Sequence, residues 1–109
     1  MPRNYTILGQ RNPAANTLTS LYAVPAGNSA VISSINIANL DANGALFSIA
    51  ANVSGAVVAN ANFLAFRVLV PGNDSIALSL GVTLNASSQL SVNANSSTVS
   101  FSAFGTEIY

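Results

Sequence analysis

The amino-acid sequence predicts an all-β protein: one β-sandwich of about eight strands, of jelly-roll or a related Greek-key type. Three observations lead there. Apolar residues recur at every second position over most of the chain, the period of a half-buried strand. The segments so patterned are separated, at roughly even spacing, by clusters of Gly, Asn, Pro and Ser. No window of useful length carries a 3.6-residue apolar stripe free of those turn formers, which leaves no place for a helix. Each short strand has one apolar face to bury, and two facing sheets bury them all.

The opening residues differ from the rest. R-N-P-A-A-N-T at 11–17 has little apolar content, and Pro2 and Pro13 interrupt pairing. Residues 1–17 therefore form either an arm that orders on a neighbour or a first strand, at 6–10, followed by a long loop. The sandwich proper is residues 18–109. Strands are predicted at 18–24 and 29–40, joined by P-A-G-N, in which proline presets φ for a turn and Gly and Asn tolerate positive φ. Asp41 in N-L-D-A-N-G reads as a turn former, and Phe47, Ile49, Ala51 and Val53 alternate along the next strand. The small apolar residues between Val53 and Asn62 resemble a helix, but Gly55, Asn60 and Asn62 favour a loop or short strand. F-L-A-F-R-V-L-V follows, then the turn P-G-N-D. The clearest strand comes next, with Ile76, Leu78, Leu80, Val82 and Leu84 on one face and Ser75, Ala77, Ser79, Gly81 and Thr83 on the other. Leu90, Val92 and Ala94, then Val99, Phe101 and Ala103, give the last two strands.

At 109 residues and 11.1 kDa the chain is one domain. Folded, it should expose roughly 5,600 Å² and bury about two-thirds of its unfolded surface, enough for a core without staples. It has no cysteine, so disulfides and thiolate metal sites are excluded. Only 6% of residues are charged, against ~25% in typical soluble domains, so hydration falls to Asn, Ser and Thr. A neutral surface with little repulsion favours association. Three arginines and neither lysine nor histidine argue against a nucleic-acid partner, because phosphate neutralisation needs several cations on one face. The start M-P-R-N-Y-T-I-L lacks the apolar run of a secretory signal, and no segment approaches the ~20 apolar residues of a membrane helix.

Catalysis has little to work with. There is no His or Lys to act as base and no Cys to act as nucleophile, and a serine without a base is only a polar surface group. The acids are Asp41, Asp74 and Glu107; the first two are explained as turn residues, and calcium would need more acidic ligands at loop spacing. No catalytic residue, cofactor or metal site is expected. Five N-x-S/T triplets, beginning at Asn4, Asn52, Asn73, Asn85 and Asn95, reflect an Asn- and Ser-rich composition.

Candidate contact residues are easier to name. Arg67 lies inside a strand that is apolar on both faces, so if Leu64, Phe66, Val68 and Val70 fill the interior, Phe63 and Leu69 stand outside beside its guanidinium. An edge strand with Arg67 paired to an acid of its own chain is the competing reading. Phe104, Ile108 and Tyr109 near the carboxyl end need a packing partner, in this chain or a neighbour. Arg3, Tyr5 and Arg11 belong to the same candidate interface if the opening residues act as an arm.

L-Y-A-V-P-A-G-N-S-A-V-I-S-S-I-N-I-A-N at 21–39, F-L-A-F at 63–66 with V-P-G-N-D-S-I-A-L-S-L-G-V-T-L after it, and the terminal V-S-F-S-A-F-G-T-E-I cover most of the chain. In these segments it resembles small virion structural proteins of tailed phages, including those of cyanobacteria and marine bacteria. The resemblance implies a non-enzymatic virion component made in the host cytoplasm. The short chain fits a capsid decoration (cement) protein on the capsid surface, homo-oligomeric with a trimer favoured, whose partner is the major capsid protein or another virion protein. The alternatives are a tail or fibre-tip protein that binds host carbohydrate, and the coat protein of a small jelly-roll virus.

Overall fold

A computed structural model describes residues 3–53 and 62–108, with the side chains of residues 3–6 and of Leu80 outside the description. Eight strands are described: β1 (Arg3–Arg11), β2 (Thr19–Ala23), β3 (Ser29–Asn39), β4 (Ala45–Val53), β5 (Phe63–Val70), β6 (Ser75–Leu84), β7 (Ser88–Ala94) and β8 (Val99–Ile108). The stretch read as loop or short strand lies mostly outside the described residues. Of the opening residues, 3–11 form β1 and pair with β8 along their length.

Two antiparallel four-stranded sheets result, ordered β1-β8-β3-β6 and β2-β7-β4-β5. Strand 1 pairs with 8, 2 with 7, 3 with 6 and 4 with 5. Such nesting arises when one long antiparallel hairpin is rolled onto itself, and it is the strand order of an eight-stranded jelly roll. The sandwich predicted from the sequence is thus present, with strand boundaries within a few residues of those expected. Ile32, Ile35, Ile37, Val99 and Phe101 of the first sheet meet Leu21, Phe47, Ile49, Leu90 and Val92 of the second in a single core. Phe47 and Phe101 touch edge to face across the sheets, their ring centroids 6.2 Å apart. Ile76, Leu78 and Val82 of β6 are only half-buried but pack on this core, and Leu84 is buried, as their alternation requires. The chain exposes 5598 Å², the area expected of a packed monomer of its mass.

Strict alternation fails at bulges, and they are placed systematically. Pairing of β4 with β7 runs without a register shift. Each of the four edge strands carries at least one: β1 at Leu8, β2 at Leu21, β5 two, on either side of Ala65, and β6 between Ser79 and Val82. Bulging lets the consecutive Leu21 and Tyr22 both be buried. In β3 the slip at Ser33 moves the buried set from Ala30 and Ile32 to Ile35 and Ile37.

One end of the sandwich is clamped by Asn39, only 2% exposed at the end of β3. Its Nδ2 donates to Asn43 O at 2.8 Å and lies 3.4 Å from Val70 O and Pro71 O. Its Oδ1 accepts from Asp41 N and Thr98 Oγ1, both at 3.1 Å. A single amide therefore ties the β3–β4, β5–β6 and β7–β8 connections, and Asn73 N to Asp41 O (2.7 Å) and Leu40 N to Thr98 O (2.9 Å) reinforce it. The connections approach so closely that a Cβ on Gly72 would lie 1.9 Å from Ala42 O. Asn39→Ala strands several buried donors and acceptors and is expected to cost about 2–3 kcal/mol in urea unfolding. Asn36→Ala, on the outer face of the same strand, should stay within about 0.5 kcal/mol of the parent.

Candidate subunit-contact surface

The edge strand β5 concentrates exposed apolar surface. Of the described large hydrophobics that are exposed, four lie on it: Leu64 (42%), Phe66 (61%), Val68 (38%) and Leu69 (57%). Its pairing with β4 decides which way each residue faces, because cross-strand partners share a face. Ala65, Val68 and Val70 oppose Ile49, Phe47 and Ala45, all core residues, and so lie on the inner face, where Val70 is buried and Ala65 packs on the core while Val68 stays 38% exposed at the edge. Phe63 and Leu69 oppose Ala50 and Leu46, which alternate with those core residues and so lie on the outer face of the sheet, where Ala50 is buried, Phe63 half-buried and Leu69 exposed. Phe66 packs edge to face on Phe63, with ring centroids 4.9 Å apart.

Two register shifts in β5 therefore convert a two-residue alternation into an outward row at three-residue spacing: Phe63, Phe66, Leu69. The expected outward pair Phe63 and Leu69 is where the sequence placed it. Phe66, expected inside, is outside, and of the residues expected inside with it only Val70 is buried, Leu64 and Val68 being exposed. The alternation had assumed an unbroken strand, and the bulge at Arg67 reverses its phase. Arg67 adopts φ 52°, in the left-handed region that disfavours residues with a Cβ. Its backbone N–H donates to Ser48 Oγ at 3.0 Å, which pins the bulge to β4. The guanidinium is exposed, and no ion pair involves it among the described residues, so the expected alternative of a partner acid within the chain is not realised there. Arg67 also borders a small crevice with Asn16, Ser48 and Asn93, where Asn93 Oδ1 is buried without a hydrogen-bond partner.

The other candidate residues do not join this row. Arg3 and Tyr5 lie in β1 opposite Ile108 and Thr106, their side chains outside the description. Phe104 and Ile108 are half-buried in β8, between β1 and β3. Tyr109 lies outside the described residues. Arg11 is exposed at the end of β1, with Nη1 donating to Gln10 O at 3.0 Å. Because β1 packs beside β2 at one side of the sandwich and β5 is the far edge of the second sheet, the candidates fall into two separated groups.

The acids are engaged locally. Asp41 Oδ1 accepts from Ala42 N and Asp74 Oδ1 from Ser75 N, each at 2.8 Å, as turn-forming carboxylates do. Both stand at the Asn39 end, where an open cleft is lined by Leu40, Asn73 and Asp74. Among the described residues no three His, Cys, Asp or Glu side chains gather as a metal site would require. Glu107 of β8 instead accepts a 2.5 Å hydrogen bond from the Tyr22 hydroxyl of β2, a polar tie between the two sheets. Burial, then the hydrogen bond and the negative charge of Glu107, push the Tyr22 phenol well above its ordinary range. A raised folded-state value means that the neutral phenol stabilises the fold fully below the unfolded value of 10.0, and that this contribution is lost as pH rises from there towards the folded value. The melting temperature should therefore fall above about pH 10. Tyr22→Phe, less stable at neutral pH, should show a shallower fall over the same alkaline range in a thermal scan.

No family model matches the chain, and no curated protein matches it. Among solved structures it is similar to a pentameric capsid protein isolated from metagenomic phage sequences. The similarity is at 17% identity and a TM-score of 0.43, covering 94% of this chain and 61% of that one. A second structure, also of a pentameric capsid protein from metagenomic phage sequences and solved by iodide phasing, gives 16% identity and a TM-score of 0.37, with 94% and 62% covered. The chain spans about three-fifths of the length of the structures it matches.

Proposed function

We propose that this chain is a non-enzymatic structural component of a phage particle and, within that class, a capsid decoration (cement) protein that binds the shell through the outer row of β5. The observation that carries the reading is that row. Phe66 and Leu69 stand exposed, with half-buried Phe63 against Phe66, beside an Arg67 that has no ion pair among the described residues, on a chain whose total surface is otherwise that of a packed monomer. Apolar anchors around an arginine are the composition of protein contacts, and a partner fits if it brings an apolar hollow and a carboxylate. The major capsid protein, or another virion protein, is the partner proposed. Copies of this chain acting as a homo-oligomer, a trimer favoured, would add individually modest contacts through multivalency. The bulged edges favour docking by side chains rather than by added strands. The resemblance to virion proteins of tailed phages, cyanophages among them, supports placement on the capsid surface. Neither nucleic acid nor membrane is a partner in this reading.

Quantitative mass spectrometry of purified particles is expected to find the chain in copy number comparable to the shell subunits; a few copies confined to tails would overturn the reading in favour of the tail or fibre-tip alternative. Phe66→Ser and Leu69→Ser should abolish binding to undecorated shells while changing stability by less than about 0.5 kcal/mol, since both side chains are exposed. Arg67→Gly relieves the left-handed strain but loosens the unfolded chain, so stability should stay within about 1 kcal/mol while shell binding weakens. Unchanged binding by all three variants would remove β5 as the contact.

A further inference from the structure

We propose that Asn43 is a site of spontaneous covalent modification, cyclising onto Gly44 and opening to an isoaspartyl linkage that releases the Asn39 clamp. The inference is independent of the proposed function. The chain has fourteen asparagines, and only Asn43 precedes glycine. Both residues are exposed and lie outside the strands, between β3 and β4. No hydrogen bond holds the Asn43 carboxamide among the described residues, and none of the loop hydrogen bonds uses the Gly44 N–H. Gly44 carries no side chain of its own to hinder the approach of its nitrogen.

The chemistry needs only water. The Gly44 backbone nitrogen, losing its proton to hydroxide, attacks Asn43 Cγ; a C–N bond forms and the carboxamide nitrogen, reprotonated, leaves as ammonia. Water then opens the resulting succinimide. Cleavage at Cγ gives a normal aspartate. Cleavage at the main-chain carbonyl routes the backbone through the former side chain and leaves the old carbonyl as a free carboxylate. That carbonyl oxygen is the one Asn39 Nδ2 grips at 2.8 Å. Isomerisation therefore frees from the chain the tightest acceptor of the amide that ties three connections. Either product takes the net charge from zero to minus one, close to Asp41 in sequence.

Other asparagines are held differently. Asn95, which precedes Ser96, has its Oδ1 engaged by Leu46 N at 3.0 Å. Asn28, which precedes Ser29, is half-buried with its own N–H bonded to Pro25 O at 3.1 Å.

The test is peptide mapping of the full chain after incubation at mildly alkaline pH, with isoaspartate located by fragmentation. Asn43 is expected to convert first, several-fold ahead of Asn28 and Asn95. Gly44→Ala should slow it: the added Cβ would sit 3.0 Å from Leu69 Cδ1, the movable end of a side chain, so the variant should fold. Aged protein should melt below fresh protein, whereas Asn43→Asp, which carries the charge on an intact backbone, should melt close to it. Conversion at Asn28 or Asn95 as fast as at Asn43 overturns the site. Aged protein that melts with Asn43→Asp overturns the release of the clamp.

Discussion

Four sheet edges among the described residues, and almost no charge to guard them, is the condition that shapes this molecule. An unpaired strand invites another strand, and proteins commonly repel it with lysine or other charge at the edge. This chain has no lysine, and three arginines must serve four edges. Backbone geometry takes over: β1, β2, β5 and β6 are each bulged, while of the interior pairings β4–β7 stays regular and β3–β8 slips once, at Ser33. A bulge twists the edge and leaves one residue out of the ladder, so an incoming strand finds no continuous row of donors and acceptors. The neutral surface then favours association without licensing indiscriminate strand addition.

The same bulges determine which residues are available for contact. Had β5 been regular, Arg67 and Leu69 would lie on one face and Phe66 and Val68 on the other. The shift at Arg67 instead brings Phe66 out beside Phe63 and Leu69 and turns Ala65 inward, opposite Ile49. Its conformation costs on the order of 1 kcal/mol or more, since a residue with a Cβ is held where glycine would be at ease. Glycine does occupy the comparable position in β6, where Gly81 has φ 78°. Retaining a charged side chain at the strained position of β5 is consistent with a role for the side chain itself.

Strand positions were legible because each rests on local chemistry: alternation within a segment and turn residues between segments. Ser75–Leu84 illustrates it, for its five alternating apolar residues and the preceding P-G-N-D define both the strand and its start. The bulges were not legible, because a bulge is a property of two strands in register and its partner lies far along the chain. β5 faces β4 from across a stretch of some ten residues, and β1 faces β8 from the opposite terminus. One signal was available: F-x-x-F-x-x-L, a spacing of three within a strand, together with a charge at an otherwise apolar position. Asn39 was hidden for a related reason. In I-A-N-L it resembles any surface asparagine, and only the convergence of three connections makes its amide the acceptor and donor they share.

Salt should matter little to such a protein. The polar contacts at the turn end are amide and hydroxyl hydrogen bonds, and the described tie across the sheets is a tyrosine to a carboxylate. Screening acts on exposed charges separated by more than a Debye length, and here there are few to screen. A contact made by the β5 row would inherit that insensitivity: its apolar part is indifferent to ionic strength, and a single arginine gives at most one screened attraction. Arg67 would then contribute direction more than strength, because an apolar row accepts many partners, whereas a guanidinium set among its members accepts only those with a carboxylate opposite. In that reading, specificity in so neutral a chain would depend on β5, where a charge is held, at the expense of backbone strain, among exposed apolar side chains.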